Sequence, residues 1–149
     1  MKLKEGDVAP AINALDQNGN PVSLKDYKGS RIILYFYPKD DTPGCTAEAC
    51  NLRDNFDELL KKGYKIIGVS ADNSNSHQKF ARKYNLPFPL IPDTDKKILN
   101  EYGVWGRKKF LGKEYDGIIR TTFIISPEGL IEKIISDVKT KDHSAQILG

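Results

Sequence analysis

Runs of apolar residues alternate along the chain with polar segments of helical periodicity. The longest run, residues 31–37, is largely β-branched and aromatic and is typical of a central strand buried on both faces. Residues 65–70 and 88–92 form two further runs, and the prolines in the second favour a place toward the edge of a sheet. Helical patterns separate the runs, so the order predicts a mostly parallel sheet with helices on its faces.

Three helices are predicted between and after these strands. The first begins at Pro43 with Thr42 as its N-cap, keeps apolar or small residues on one face, and ends near Gly63. The second and third cover about residues 76–84 and 95–102. The second carries its apolar residues on one side, as a helix that packs on a sheet does.

Two hairpins frame this alternation. Residues 11–15 and 22–24 flank a turn that contains Asn18-Gly19, which is a strong hairpin signal. Near the other end, residues 120–126 and 130–135 flank a Pro-Glu-Gly turn. The second pair predicts two antiparallel strands beside the parallel ones, and hence a mixed sheet.

The remaining segments complete the fold prediction. Residues 103–117 contain four glycines and several lysines, and we expect a long irregular loop there. A last helix is expected after Thr140, toward Leu148. The whole order predicts a single α/β domain over residues 1–149: a thioredoxin-like fold, with a central mixed β-sheet flanked by helices and an N-terminal β-hairpin.

Composition and charge exclude several classes of function. The chain has 149 residues and a formal net charge of +3, from interleaved acidic and basic residues. Its basic clusters are short and lack interleaved aromatic residues, so nucleic-acid binding is not expected. We find neither an N-terminal signal-like apolar segment nor an apolar run of the roughly 20 residues that span a bilayer. We therefore expect a cytoplasmic protein that does not bind membranes.

The only two cysteines, Cys45 and Cys50, lie in the first predicted helix. With Thr42 as cap and Pro43 first, Cys45 becomes the third helical residue, beside unpaired amides at the positive end of the helix dipole. An ordinary cysteine of pKa near 8.5 is only about 3% thiolate at neutral pH, and this position favours the thiolate. The pattern therefore predicts a nucleophile at Cys45.

Cys50 lies five residues further along the same helix. Helix geometry places it about 140° round the axis with its Cα roughly 8–9 Å from that of Cys45, which is too far for a disulfide. The two sulfurs can therefore join only if the first turns unwind. A role for both cysteines as buried structural thiols stays open, whereas His77 and His143 lack the spacing that would make a metal site with them.

Several separated motifs agree in order and spacing with one family. Pro38, Thr42 and Cys45 match the pattern P-x-x-x-T-x-x-C, and residues 103–106 and 115–120 match further subfamily text. On these motifs the chain resembles the peroxiredoxins over nearly its whole length, and specifically the bacterioferritin comigratory protein or Q-type subfamily.

The resemblance implies a thiol-dependent peroxidase that reduces hydrogen peroxide and organic hydroperoxides. In it Cys45 is the peroxidatic cysteine, and Cys50 is the resolving cysteine that forms an intramolecular disulfide with it. Thioredoxin or a similar dithiol protein is the implied reductant. We expect neither cofactor nor metal, and the resemblance implies a monomer.

The resemblance also assigns supporting residues. It implies that Arg120 holds the thiolate and polarises the peroxide, a role that the residues alone did not single out. The Thr42 hydroxyl and the helix-start amides at Gly44 are the other expected donors to the substrate. Pro38 offers no donor and is expected to shield the site.

Two other functions compete with this interpretation. A thiol-disulfide oxidoreductase would use the same fold, but such proteins carry Cys-x-x-Cys, and here four residues separate the cysteines. A redox-sensing or chaperone-like binding protein would use a disulfide switch to expose apolar surface. For Trp105, packing and direct substrate contact stay equally open.

Overall fold

The computed structural model describes residues 3–149. Its strands are β1 (Asn13–Leu15), β2 (Pro21–Ser23), β3 (Arg31–Phe36), β4 (Tyr64–Ser70), β5 (Leu90–Pro92), β6 (Trp105–Phe110), β7 (Lys113–Ile118), β8 (Thr121–Ile125) and β9 (Ile131–Ile135). Its α-helices are α1 (Pro43–Asp54), α2 (Phe56–Lys61), α3 (Ser74–Lys83), α4 (Lys97–Glu101) and α5 (His143–Leu148).

A five-stranded sheet in the order β5-β4-β3-β8-β9 forms the centre of the fold. Strand β3 pairs in parallel with β4 and antiparallel with β8, which confirms the predicted mixed sheet. The segment at 88–92 supplies the edge strand β5, as its prolines predicted. The N-terminal hairpin is confirmed as the separate pair β1 and β2.

Strand β3 joins two hydrophobic layers because its side chains alternate between the faces of the sheet. Ile32, Leu34 and Phe36 pack in the layer that includes α4 and the N-terminal hairpin. Ile33 and Tyr35 pack in the layer formed by α1, α2, α3 and α5. The chain leaves the carboxyl end of β3 and enters α1, so the start of α1 lies at the edge of this second layer.

The single helix predicted from Pro43 to Gly63 is wrong in one respect. The structure breaks it at Asn55, which has φ −108° and ψ 14°. The Asn55 side chain donates to the carbonyl of Asn51 at 2.8 Å and so competes with the backbone ladder. Two helices, α1 and α2, result.

The irregular loop expected over residues 103–117 is also wrong. This segment forms the antiparallel ribbon β6–β7, with Trp105 opposite Ile118. Leu111 and Gly112 make the reversal, both with positive φ (52° and 79°), which is the conformation that a two-residue hairpin turn requires. The ribbon was not predicted because its glycines and lysines do not alternate with apolar residues in the pattern of a half-buried strand.

Two other helix boundaries differ from the prediction. Helix α3 begins at Ser74, because Asn73 caps it by accepting from the Ser76 amide. Helix α4 is shorter than predicted, since Lys96 before it has φ 63°. In the part of the chain from residue 3 onward, we find no helix long and apolar enough to span a membrane.

Candidate active site

Cys45 lies where the sequence placed it, as the third residue of α1. Thr42 precedes the helix in an extended conformation, and Pro43 occupies its first position. The Cys45 side chain is 1% exposed and packs in the same layer as Ala49 and Leu52. A thiol at the start of a helix and facing the core is the arrangement that the capping pattern predicted.

The Thr42 hydroxyl makes a hydrogen bond within the turn before α1. It donates to the carbonyl of Lys39 at 2.8 Å, so its proton is committed to the turn before α1. The donor role expected of Thr42 toward a substrate stays a prediction. Because Thr42 does not cap the helix through its side chain, the amides of Gly44 and Cys45 are left to the site.

Arg120 reaches the cysteine from the connection between β7 and β8. Its Nη2 donates to Cys45 Sγ at 3.4 Å, while Nη1 donates to Glu48 Oε1 at 2.7 Å. A Cβ built on Gly44 would lie 3.1 Å from Nη2 of this arginine. Gly44 is thus the residue whose missing side chain leaves room for the guanidinium beside the sulfur.

The guanidinium of Arg120 stays positively charged in this half-buried place. Burial lowers its pKa, but the adjacent Cys45 and Glu48 outweigh burial and raise the pKa overall. A fixed positive charge beside Sγ favours the thiolate over the thiol.

Glu48 belongs to this site, and sequence reasoning missed it. Its side chain is 0% exposed, and burial raises its pKa to about 7 against the opposing effect of Arg120. His143 of α5 lies on the other side, with Nε2 3.5 Å from Glu48 Oε2. The sequence carried one signal for Glu48: it is a charged residue three positions after Cys45, and a helix places such a residue on the same inward face.

The loop that carries Pro38 is tied to α3 through Asp40. The buried carboxylate of Asp40 accepts from the Tyr37 hydroxyl at 2.6 Å and the Ser76 hydroxyl at 2.7 Å, and it lies 2.7 Å from His77 Nδ1. Pro38 itself is half-buried. The network fixes the path of the backbone between β3 and α1.

One group of side chains in this network has the spacing of a metal site. Ligand atoms of Asp40, Asp72 and His77 lie within 4.8 Å of one another. They are already engaged within the chain: Asp72 accepts from the Asp40 amide and the Ser70 hydroxyl, both at 2.8 Å, and His77 Nε2 lies 3.1 Å from the Ile91 carbonyl. These bonds explain the cluster as an anchor for the loop.

Cys50 is partly exposed, whereas Cys45 is buried. It borders an open cleft of about 420 Å³ that also exposes the start of α1. The lining residues are Asp41, Thr42, Pro43, Thr46, Ala47, Cys50 and Tyr84. Burial raises the pKa of the Cys50 thiol.

The β6–β7 ribbon borders the site through Lys108. Burial, followed by repulsion from Arg120, lowers the pKa of this lysine, while Cys45 opposes the effect. Trp105 at the base of the ribbon packs against the hydrophobic layer of α4, with Lys96 Nζ 5.0 Å from its ring centroid. These contacts give Trp105 a packing role.

The site combines a thiol at a helix start with an arginine that contacts its sulfur, at the edge of a thioredoxin-like sheet. This combination is typical of the thiol peroxidases. The AhpC/TSA family model matches residues 6–134, and the chain belongs to this family.

Relatives with high identity to this chain identify the subfamily. Peroxiredoxin Bcp of Escherichia coli strain K12 is 47% identical over 98% of this chain and 94% of its own length. Peroxiredoxin Bcp of Bacillus subtilis strain 168 is also 47% identical, over 99% and 94%. A solved structure of the Xanthomonas campestris bacterioferritin comigratory protein, determined for its alkyl peroxide reduction activity, has a TM-score of 0.85 and 36% identity, over 92% of this chain and 87% of that one.

The protein is therefore a peroxiredoxin of the bacterioferritin comigratory protein or Q-type subfamily. It is a peroxidase that consumes a peroxide and a thiol reductant.

Proposed function

We propose that the enzyme reduces hydrogen peroxide and organic hydroperoxides in a two-cysteine cycle, in which Cys45 reacts with the peroxide and Cys50 resolves the product. The observation that carries this proposal is the position of Cys45 Sγ, buried at the start of α1 and 3.4 Å from Arg120 Nη2. The helix N-terminus and the guanidinium both stabilise a thiolate there.

In the first step the Cys45 thiolate attacks one oxygen of the peroxide. An S–O bond forms as the O–O bond breaks, and the departing oxygen takes up a proton to become water or an alcohol. Arg120 and the amides at the start of α1 stabilise the charge on that oxygen. Cys45 is left as a sulfenic acid, which is reversible. Pro38 shields the site and supplies no donor.

In the second step the Cys50 thiolate attacks the sulfenic sulfur. An S–S bond forms, the S–O bond breaks, and the hydroxyl leaves as water after it takes up a proton. Cys45 is on the buried face of α1 and Cys50 on its outer side, with Cα atoms roughly 8–9 Å apart in an intact helix. The first turns of α1 must therefore open before the disulfide can form.

A dithiol protein of the thioredoxin type closes the cycle. Its thiolate attacks one sulfur of the disulfide, its second thiol then releases the mixed disulfide, and the reductant leaves oxidised. Cys50 suits this exchange because it borders an open cleft, whereas Cys45 is buried. The need for such a reductant fits a reducing compartment, and we place the enzyme in the cytoplasm.

The enzyme acts as a monomer in this proposal. The two edges of the sheet offer little to a second copy: β5 has three residues and ends at Pro92, and β9 carries Glu132 and Lys133 in its middle. Short edges, proline and charge all oppose strand pairing between chains. Light scattering of the purified protein across a range of concentrations tests this point, and a stable dimer would contradict it.

Peroxide consumption with a thioredoxin system tests the cycle. We expect turnover in the wild type and in Ala47→Ser, a control on the same cleft, and loss of turnover in Cys45→Ser and Cys50→Ser. Full turnover in Cys50→Ser would show that the enzyme works with one cysteine and that the opening of α1 is unnecessary. Reduction of insulin without peroxide would instead favour a thiol-disulfide oxidoreductase.

A further inference from the structure

The two carboxyl oxygens of Glu48 have different surroundings. Oε1 accepts from Arg120 Nη1 at 2.7 Å. Oε2 is buried and, among the residues that the structure describes, has no hydrogen-bond partner. A bare carboxylate oxygen in this place would be desolvated without compensation. The group that faces it is the imidazole of His143, with Nε2 at 3.5 Å.

The hydrogen bonds around His143 determine where its protons lie. The amide of Gln146 is oriented by two backbone contacts, because its Nε2 donates to the Asp137 carbonyl and its Oε1 accepts from the Lys139 amide. His143 Nδ1 lies 2.9 Å from that same Oε1, so Nδ1 must carry a proton and donate it. In the neutral imidazole, Nε2 then has one lone pair, which accepts from the Thr122 hydroxyl at 2.8 Å.

We propose that Glu48 is protonated on Oε2, because His143 Nε2 carries no proton to offer this oxygen, and that the neutral carboxyl and imidazole reserve the positive charge of Arg120 for the Cys45 thiolate. His143 is thus a positioning residue, which acts through Glu48 and Arg120 on the reacting sulfur.

The charge count at the site supports this arrangement. With Glu48 neutral, the one cation of Arg120 balances the one anion of Cys45. With Glu48 ionised, two buried anions would share a single guanidinium, and the hydrogen bond from Nη2 to sulfur would weaken as Nη1 is drawn to the carboxylate. The pKa shifts of both groups favour the neutral forms, since burial raises the pKa of Glu48 to about 7 and lowers the pKa of His143.

Ionisable groups from four parts of the chain surround the Glu48 carboxyl. From β3, the buried phenol of Tyr35 faces this carboxyl, and burial raises its pKa well above the usual value, so it stays neutral. Arg120 before β8 and His143 of α5 face Glu48 directly, and Cys45 lies one turn earlier on α1. Arg120 is therefore the only one of these facing groups with a permanent positive charge.

The pH dependence of the first step tests the inference. The rate constant of Cys45 with hydrogen peroxide is measured from about pH 5 to pH 9 in the wild type, Glu48→Gln and His143→Gln. In the wild type the rate should fall by roughly tenfold as the pH rises through about 7 and Glu48 loses its proton. Glu48→Gln should lack the fall. In His143→Gln the fall should move to lower pH, because the new amide donates to Oε2 and favours the carboxylate.

Identical pH profiles in all three proteins, with rates only scaled down, would overturn the inference and leave His143 a purely structural role. The inference rests on Cys45 being the reactive thiol, so Cys45→Ser is included. Reaction of Cys45→Ser with peroxide would refute the proposed function itself. Unchanged profiles with an inert Cys45→Ser would refute only the role of the buried proton.

A measurement on the wild type covers the case in which a variant does not fold. The chain has two histidines, so ¹⁵N NMR of the imidazoles can report the protonation of His143 alone, assigned through its contact with Thr122. We expect a neutral ring with the proton on Nδ1 at neutral pH. An imidazolium at His143 would overturn the inference.

Discussion

Tyr84 donates a hydrogen bond to Asp41 Oδ1 at 2.9 Å and so joins the end of α3 to the residue before the cap of α1. Asp41 has φ 59°, in the left-handed region that residues with a side chain rarely adopt. Lys83 Nζ donates to the other carboxylate oxygen, also at 2.9 Å. The start of α1 is thus held by side chains from α3, where Thr42 makes no capping bond.

Loss of this contact should ease the opening of α1. In Tyr84→Phe we expect the Cys45–Cys50 disulfide to form roughly twofold to fivefold faster after oxidation, because an exposed hydrogen bond contributes about 0.5–1 kcal/mol. Rapid-quench sampling with intact mass follows the reaction, and Tyr115→Phe on the exposed ribbon is the control. An unchanged rate would mean that the opening of α1 does not involve Asp41.

Arg120→Ala should slow the first step by roughly 100-fold, because one preorganised charged donor is removed from the departing oxygen. Arg120→Lys keeps the charge but loses the fork that contacts Cys45 and Glu48 together, so an intermediate rate is expected. Stopped-flow kinetics with hydrogen peroxide measures both. Arg53→Lys on α1, away from the sulfur, is the matched control, and equal rates in all variants would remove Arg120 from the mechanism.

Gly44→Ala should reduce the same rate without unfolding the protein. The added methyl would lie 3.1 Å from Arg120 Nη2, so the guanidinium must shift away from Cys45. We expect roughly a tenfold loss, as for one weakened charge-assisted hydrogen bond. Thr46→Ala, two residues further on at the cleft, serves as the control. Wild-type kinetics in Gly44→Ala would show that Arg120 adapts freely.

Stability should depend on pH through Glu48. Burial raises its pKa in the folded state from 4.5 to about 7, so the folded protein holds this proton more tightly than the unfolded chain. The stabilisation that this bound proton gives the folded protein is therefore complete below about pH 4.5 and is lost as the pH rises through about 7. Relative to Glu48→Gln, the wild-type free energy of unfolding should fall by on the order of 2–3 kcal/mol over this range. Urea denaturation measures these free energies, and values for the wild type and Glu48→Gln that change in parallel with pH would contradict this prediction.

Local sequence patterns were enough to predict the parts of the structure that depend on neighbouring residues. Strand β3, the helix start at Pro43 and the inward position of Cys45 follow from apolar runs and capping residues, and all three are confirmed. The break at Asn55 was missed because an asparagine side chain competes with the helix only in some contexts.

The rest of the site depends on contacts between distant segments. Glu48 meets Arg120 across 72 positions of the chain, and His143 approaches from the last helix. No periodicity within one element records such a pairing, and Arg120 came from family resemblance alone. The β6–β7 ribbon was missed for a related reason, since its strands pair with each other outside the central sheet and need no alternating apolar face.

Intact mass after one equivalent of peroxide tests the two-cysteine mechanism most directly. We expect that the wild type loses two hydrogens, that Cys45→Ser is unchanged, and that Cys50→Ser gains one oxygen, as a sulfenic acid that dimedone traps. A wild type that carries a sulfenic acid and forms no disulfide, or a Cys45→Ser protein that is oxidised at Cys50, would contradict it.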